Sequence, residues 1–305
     1  MAGRRHRIKI AVAIICALSG YFFYAYHDFF MYNISRIFHT EISTMEDELI
    51  HILEENPDQV FDALHTKLQE HPQTSAVCHG IAHKLGHHAY ELYGFDRAMQ
   101  YQNSLCGAGY IHGVIESHFG LFSKELLTED ITTICTPTDE QCNHGIGHGV
   151  MIYTKNNIEE SLRMCDLLSL PGRSDCYDGV FMHVFDNEET GVSKDIPERT
   201  LGAQLCEKVT RQQMTSCYFY VPRIFTRDVE IGQKTGALCS EIKNVQLAKA
   251  SEICAYGAGV AFEKYMPSHD EAVGLCATYF TDRLQQECRA GIASYANWSE
   301  SRFTE

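Results

Sequence analysis

The sequence predicts an all-α fold: an α-solenoid of about six to seven disulfide-stapled helical hairpins, preceded by one N-terminal transmembrane helix. Three observations lead there. A cysteine–glycine–histidine phrase recurs at the spacing of a helical hairpin, cysteines bracket the joints between the recurring units, and a basic flank followed by an apolar stretch opens the chain.

The fullest copy of the phrase is Cys142-Asn-His-Gly-Ile-Gly-His-Gly-Val150. Cys78-His-Gly-Ile-Ala-His83 and Cys106-Gly-Ala-Gly-Tyr-Ile-His-Gly113 are close variants, and fainter copies start at Cys176, Cys217, Cys254 and Cys288. From Cys106 onward the copies lie 36, 34, 41, 37 and 34 residues apart. That period suits stacked hairpins, each burying its apolar face only against its neighbours.

In chain order, residues 1–9 carry Arg4, Arg5, Arg7 and Lys9 and read as a cytoplasmic basic flank. Residues 10–32 read as a transmembrane signal anchor. The uncharged run Ile10 to Tyr26 falls slightly short of a hydrocarbon slab about 30 Å thick, and the aromatics up to Tyr32 complete it. Ala17-Leu-Ser19 before Gly20 offers the competing reading, a cleaved signal peptide. Both readings place the remainder in an extracytoplasmic space, whether periplasm, lumen or cell exterior. Residues 33–73 form a helical stalk or cap: two helices, Ile42 to Glu55 and Asp58 to Glu70, broken at Asn56-Pro57.

Residues 74–305 hold the repeats. In each unit a first helix follows the cysteine–glycine phrase, and a second ends in an apolar residue plus cysteine, as at Leu105-Cys106, Met164-Cys165 and Leu205-Cys206. Glycines 80, 109, 145, 179, 257 and 291 fall inside the first helices, where each costs up to about 1 kcal/mol against alanine. A recurrent cost implies close approach of neighbouring helices.

Of thirteen cysteines, only Cys16 lies in the apolar N-terminal run. The even number left in an exported region predicts disulfides. Cys135 with Cys142, Cys165 with Cys176, Cys206 with Cys217, Cys239 with Cys254, and Cys276 with Cys288 each bracket one joint between units, leaving Cys78 for Cys106. Zinc held by cysteines is the rival reading, but the chain has no C-x-x-C. This arrangement over residues 75–298 resembles the disulfide-stapled branch of the tetratricopeptide-type repeats, with departures in the His-Gly phrases and the uneven period. The resemblance is one of architecture and implies a curved right-handed stack with a concave binding face.

Nine of the sixteen histidines fall between His79 and His183, and after residue 190 only His269 remains. On a helix, residues four apart share a face, so His79, His83 and His87 form one column and His144 and His148 another. Aligning the glycines puts His112 level with His83 and His148, with Glu116 one turn below. These imidazoles predict a transition-metal site: His79, His83, His112, His144 and His148, supported by Glu116, His87 and His183. Neutral imidazole suits zinc, copper or iron, and the donor set does not choose among them. The bland alternative is that each histidine is a polar core residue bonded to a backbone carbonyl. Later units read Met182, Arg223, Val260 and Ser294 in the same column and look like scaffold. Arg223 reads as a salt-bridge partner or an anion site.

The net charge of −15 argues against nucleic acid as a partner. Asn33-Ile-Ser35 and Asn297-Trp-Ser299 fit the glycosylation sequon. Serine-nucleophile signatures and phosphate-binding glycine loops are missing. Two functional readings follow. One is a membrane-anchored metal protein, either a hydrolytic or oxidative enzyme or a carrier. The other is a non-enzymatic scaffold that binds a protein or peptide on its concave face.

Overall fold

The computed structural model describes residues 41–71, 74, 77–121, 131–186, 196, 200–226, 228–243 and 246–303. The basic flank, the anchor at 10–32 and the start of the stalk lie outside the described residues. Among the described residues, no helix is long and apolar enough to cross a membrane and no strand occurs.

The chain divides into two units, Met1–His51 and Ile52–Glu305. In the first, residues 41–51 are helical. The second continues with helical residues 52–55, and Pro57 starts a 3-10 turn, Pro57–Gln59, that leads into α1 (Val60–Glu70). The break falls where the sequence places it, because the residue before proline is pushed out of helical geometry.

Seven long helices carry the repeat: α2 (Cys78–Tyr93), α4 (Gly109–Gly120), α5 (Glu140–Tyr153), α7 (Gly172–Phe185), α9 (Arg211–Tyr220), α11 (Ala250–Tyr265) and α13 (Asp282–Phe303). Each packs against the next in that order. Between them lie α3 (Phe95–Ala98), α6 (Ile158–Cys165), α8 (Ala203–Cys206), α10 (Ile231–Glu241) and α12 (His269–Tyr279). Local chemistry sets several starts. Asp139 accepts from the Cys142 amide, Asn157 from Glu160 and Ser268 from Glu271, while Thr210 and Gln213 form a reciprocal capping box. One apolar core extends from Ala108 to Ile292, with Phe119, Phe181, Phe185 and Phe262 fully buried.

Of the glycines that the sequence singles out, 109, 179, 257 and 291 lie where a Cβ would collide with a carbonyl oxygen of the neighbouring long helix, whereas Gly145 faces the side chains of Ile115 and His112; Gly113 and Gly147 make the same kind of approach. A Cβ on Gly113 would collide with the His83 carbonyl oxygen, and one on Gly147 would lie 2.7 Å from the Cα of Gly179 across the α5–α7 interface. Backbones here meet directly, closer than helices separated by side chains.

Six disulfides join Cys78–Cys106, Cys135–Cys142, Cys165–Cys176, Cys206–Cys217, Cys239–Cys254 and Cys276–Cys288. Four of them tie α6, α8, α10 and α12 to the long helix that follows.

Two expectations need correction. The second helix of a unit is not always a full one, since α3 and α8 have four residues each. So short a helix is unstable alone, and in α8 the Cys206 crosslink holds the turn in place of length. Leu105-Cys106 does not end a helix. Cys106, Gly107 and Ala108 take successive left-handed conformations (φ 57°, 70° and 57°) that turn the chain into α4.

Arg223, in a 3-10 turn after α9, donates from Nη1 to Asp186 Oδ2 at 2.9 Å, both side chains buried. The Tyr265 hydroxyl donates to the same oxygen at 2.6 Å. Arg223 is therefore a salt-bridge partner.

Candidate metal site

The site is built from four consecutive long helices. The 3.6-residue repeat sets His79, His83 and His87 along one side of α2, His112 above Glu116 on α4, and His144 above His148 on α5; α7 adds His183. Because the glycines let α2 meet α4 and α5 meet α7 at backbone distance, these columns face each other across narrow gaps.

Glu116 sits at the centre. Its carboxylate is about 1% exposed, and its two oxygens face different histidines. Oε2 lies 3.2 Å from His87 Nε2 and 3.6 Å from His83 Nδ1. Oε1 lies 3.5 Å from His148 Nδ1 and 4.0 Å from His183 Nδ1. The sequence ranked Glu116, with His87 and His183, below the other five histidines. Its central place depends on the register between helices, which spacing along one helix does not report.

The remaining histidines extend the cluster on one side. The His112 ring stacks on His144 and His148 with centroids 5.0 and 5.2 Å apart, and lies 5.1 Å from His79. His144 Nε2 lies 3.2 Å from His148 Nε2. Three overlapping sets bring their donor atoms within 4.8 Å of one another: His79, His83 and His112; His112, His144 and His148; and His83, Glu116 and His148. Around one tetrahedral ion, donors stand about 3.4 Å apart for bonds of about 2.05 Å. Modest rotation of the side chains therefore separates these sets from a bound geometry.

Three of the rings are oriented by a partner on one nitrogen while the other turns inward. His79 Nδ1 donates to the Cys106 carbonyl at 2.8 Å, fixed by the left-handed turn and the Cys78–Cys106 disulfide. His87 Nδ1 lies 2.6 Å from Ser117 Oγ. His183 Nε2 donates to Asn156 Oδ1 at 3.1 Å, and Asn156 is itself left-handed (φ 66°) in the turn that closes α5. An outer acceptor that fixes tautomer and ring direction is the usual setting of a metal-ligating imidazole.

His148 is fully buried, and its imidazole is held well below the ordinary histidine value, first by desolvation, then by His144, His112, His183 and His83. It is neutral near pH 7, the form in which imidazole binds metal.

The structure adds three residues that the spacing did not indicate: Asn156, Ser117 and Met182. The alignment placed Met182 in the histidine column as scaffold. Its Sδ instead lies 3.2 Å from His144 Nε2, and the next residue, His183, is the one that turns to Glu116. His88 and His118 take no part: His88 pairs with Glu54, and His118 stacks on Phe95.

A buried carboxylate ringed by imidazoles can hold a metal ion. Comparison with protein families, with curated proteins and with solved structures finds no match to the chain.

Proposed function

We propose that the protein is exported and membrane-anchored, and that it binds a transition metal through the histidine–glutamate cluster of its first four long helices. Zinc, copper and iron all suit the donors. What supports the reading is one observation: a buried carboxylate faces four imidazoles contributed by three other helices. Burying a carboxylate costs several kcal/mol unless positive charge offsets it, and His148 is held neutral. A divalent cation offsets that cost while using the inward nitrogens. Six disulfides fit an oxidising, extracytoplasmic compartment. Residues 10–32 serve as the anchor, and the hairpins belong with the tetratricopeptide-type repeats. Each donor group leaves coordination positions for solvent or substrate, as in hydrolytic and oxidative metal enzymes.

The test is elemental analysis of the oxidised protein beside His83→Ala and His148→Ala. Stoichiometric metal in the wild type, lost in both variants with helicity and disulfides retained, is the expected result. A metal-free wild type that keeps its fold in the presence of zinc, copper and iron salts sinks the proposal.

A further inference from the structure

The disposition of histidines about Glu116 points to more than one ion. We infer that Glu116 bridges a pair of divalent transition-metal ions, and that the pair is closed by an anionic oxygen ligand. The inference rests on the metal reading above and specifies its stoichiometry and ligand class.

A single ion would need only His83, Glu116 and His148, whose donor atoms already lie within 4.8 Å of one another. That arrangement leaves His87 and His183 without a role, yet both aim a nitrogen at the carboxylate. They do so from opposite sides: His87 and His83 face Oε2, His148 and His183 face Oε1. Each oxygen therefore has its own pair of imidazoles, and rotation of those rings inward would give each of two ions three protein donors. Three donors with a position left open is the pattern of a reactive centre, and a carboxylate spanning two ions holds them about 3.5–4 Å apart.

The outer contacts repeat the division. On the Oε2 side His87 is oriented by Ser117, and on the Oε1 side His183 is oriented by Asn156. One ring is held on each side, by Ser117 on α4 and by Asn156 in the turn after α5, the outer support expected of a ligand to each oxygen's ion.

Charge then selects the exogenous ligand. Two divalent ions bring four positive charges, one carboxylate removes one, and neutral imidazoles remove none. The excess in a buried site favours an anionic oxygen donor, such as hydroxide or the carboxylate or phosphate group of a substrate.

Cobalt(II) is the probe, because its visible spectrum reports coordination and its content can be counted. The oxidised full-length protein is expected to bind two cobalt ions per chain. His183→Ala, a variant on the Oε1 side alone, is expected to bind one and to keep its helicity and six disulfides, and His87→Ala is expected to do the same on the other side. Inorganic phosphate is expected to shift the visible bands of the two-cobalt protein. One ion in the wild type, with His87→Ala and His183→Ala also binding one, overturns the inference and leaves the metal reading standing. Two ions retained in both variants overturns the assignment of ligands to Glu116. Bands unmoved by phosphate overturn the anionic ligand. No cobalt in the folded wild type overturns both proposals.

Discussion

At the scale of single residues, the site depends on which nitrogen each ring can offer. Asn156 is the sharpest case, since it sits one helix away from His183 in sequence and touches only the ring's outer edge. Asn156→Ala should weaken metal affinity about 10–100-fold with the helical content unchanged, measured by competition against a chromophoric chelator. Unchanged affinity would mean that His183 is not a ligand. The columns His79–His83–His87 and His144–His148 were legible from four-residue spacing alone. Asn156 was not, because its role comes from a left-handed turn that brings it against the next long helix. A second residue-scale prediction concerns pH. Desolvation pushes the Asp178 carboxyl on α7 up to about 7 and Asp175 up to about 6. Between about pH 4 and pH 7 the folded chain therefore binds more protons than the unfolded one, and these groups lower stability as pH rises. Asp178→Asn should remove its share, so the difference in unfolding free energy between variant and wild type should grow across that window and level off above it. The full change is on the order of a few kcal/mol. Denaturation curves at several pH values test this, and a flat difference excludes it.

At the scale of elements, glycine sets how closely the long helices approach. The recurring glycines were readable as a cost needing a geometric return, and the structure supplies it at the α2–α4 and α5–α7 interfaces. Gly113→Ala and Gly147→Ala should each cost about 1–3 kcal/mol or more by forcing backbones apart, and should weaken metal binding by separating the facing columns. Gly120→Ala is the control. Its Cβ would meet only Ile152, at 3.7 Å, so it should be neutral or stabilising by up to about 1 kcal/mol. Thermal melts with parallel metal titration separate the two classes. The one-turn helices α3 and α8 were not legible, because a hairpin period counts residues without saying how many are helical. A crosslink at the joint tolerates the shortfall.

At the scale of the whole molecule, the crosslinks share one architecture but do not contribute alike. Replacing Cys239 and Cys254 by serine opens a loop of separation 15 and should cost about 3 kcal/mol; opening Cys135–Cys142, with separation 7, should cost about 2. Both should leave metal affinity close to wild type if the fold survives. The Cys78–Cys106 pair should behave differently, lowering stability and metal affinity together, because Cys106 carries the carbonyl that orients His79. Urea midpoints and chelator competition on the three serine pairs give both readouts. Five pairings follow from which cysteines bracket a joint and the sixth, Cys78–Cys106, from the two left over, so this level of the molecule was the most legible in the sequence. What the sequence could not give was the convergence on Glu116, which needs the offset between α4 and each of its neighbours.

The tie between Cys106 and His79 also bears on biogenesis. A chain still in a reducing environment has thirteen thiols and sixteen imidazoles ready to capture metal indiscriminately, and the turn that aims His79 is not yet fastened. Oxidation pairs twelve of those sulfurs and fastens that turn in one event. On the proposed reading of an exported metal protein, loading then belongs after translocation, when the repeat region offers imidazoles and no thiols to its guest.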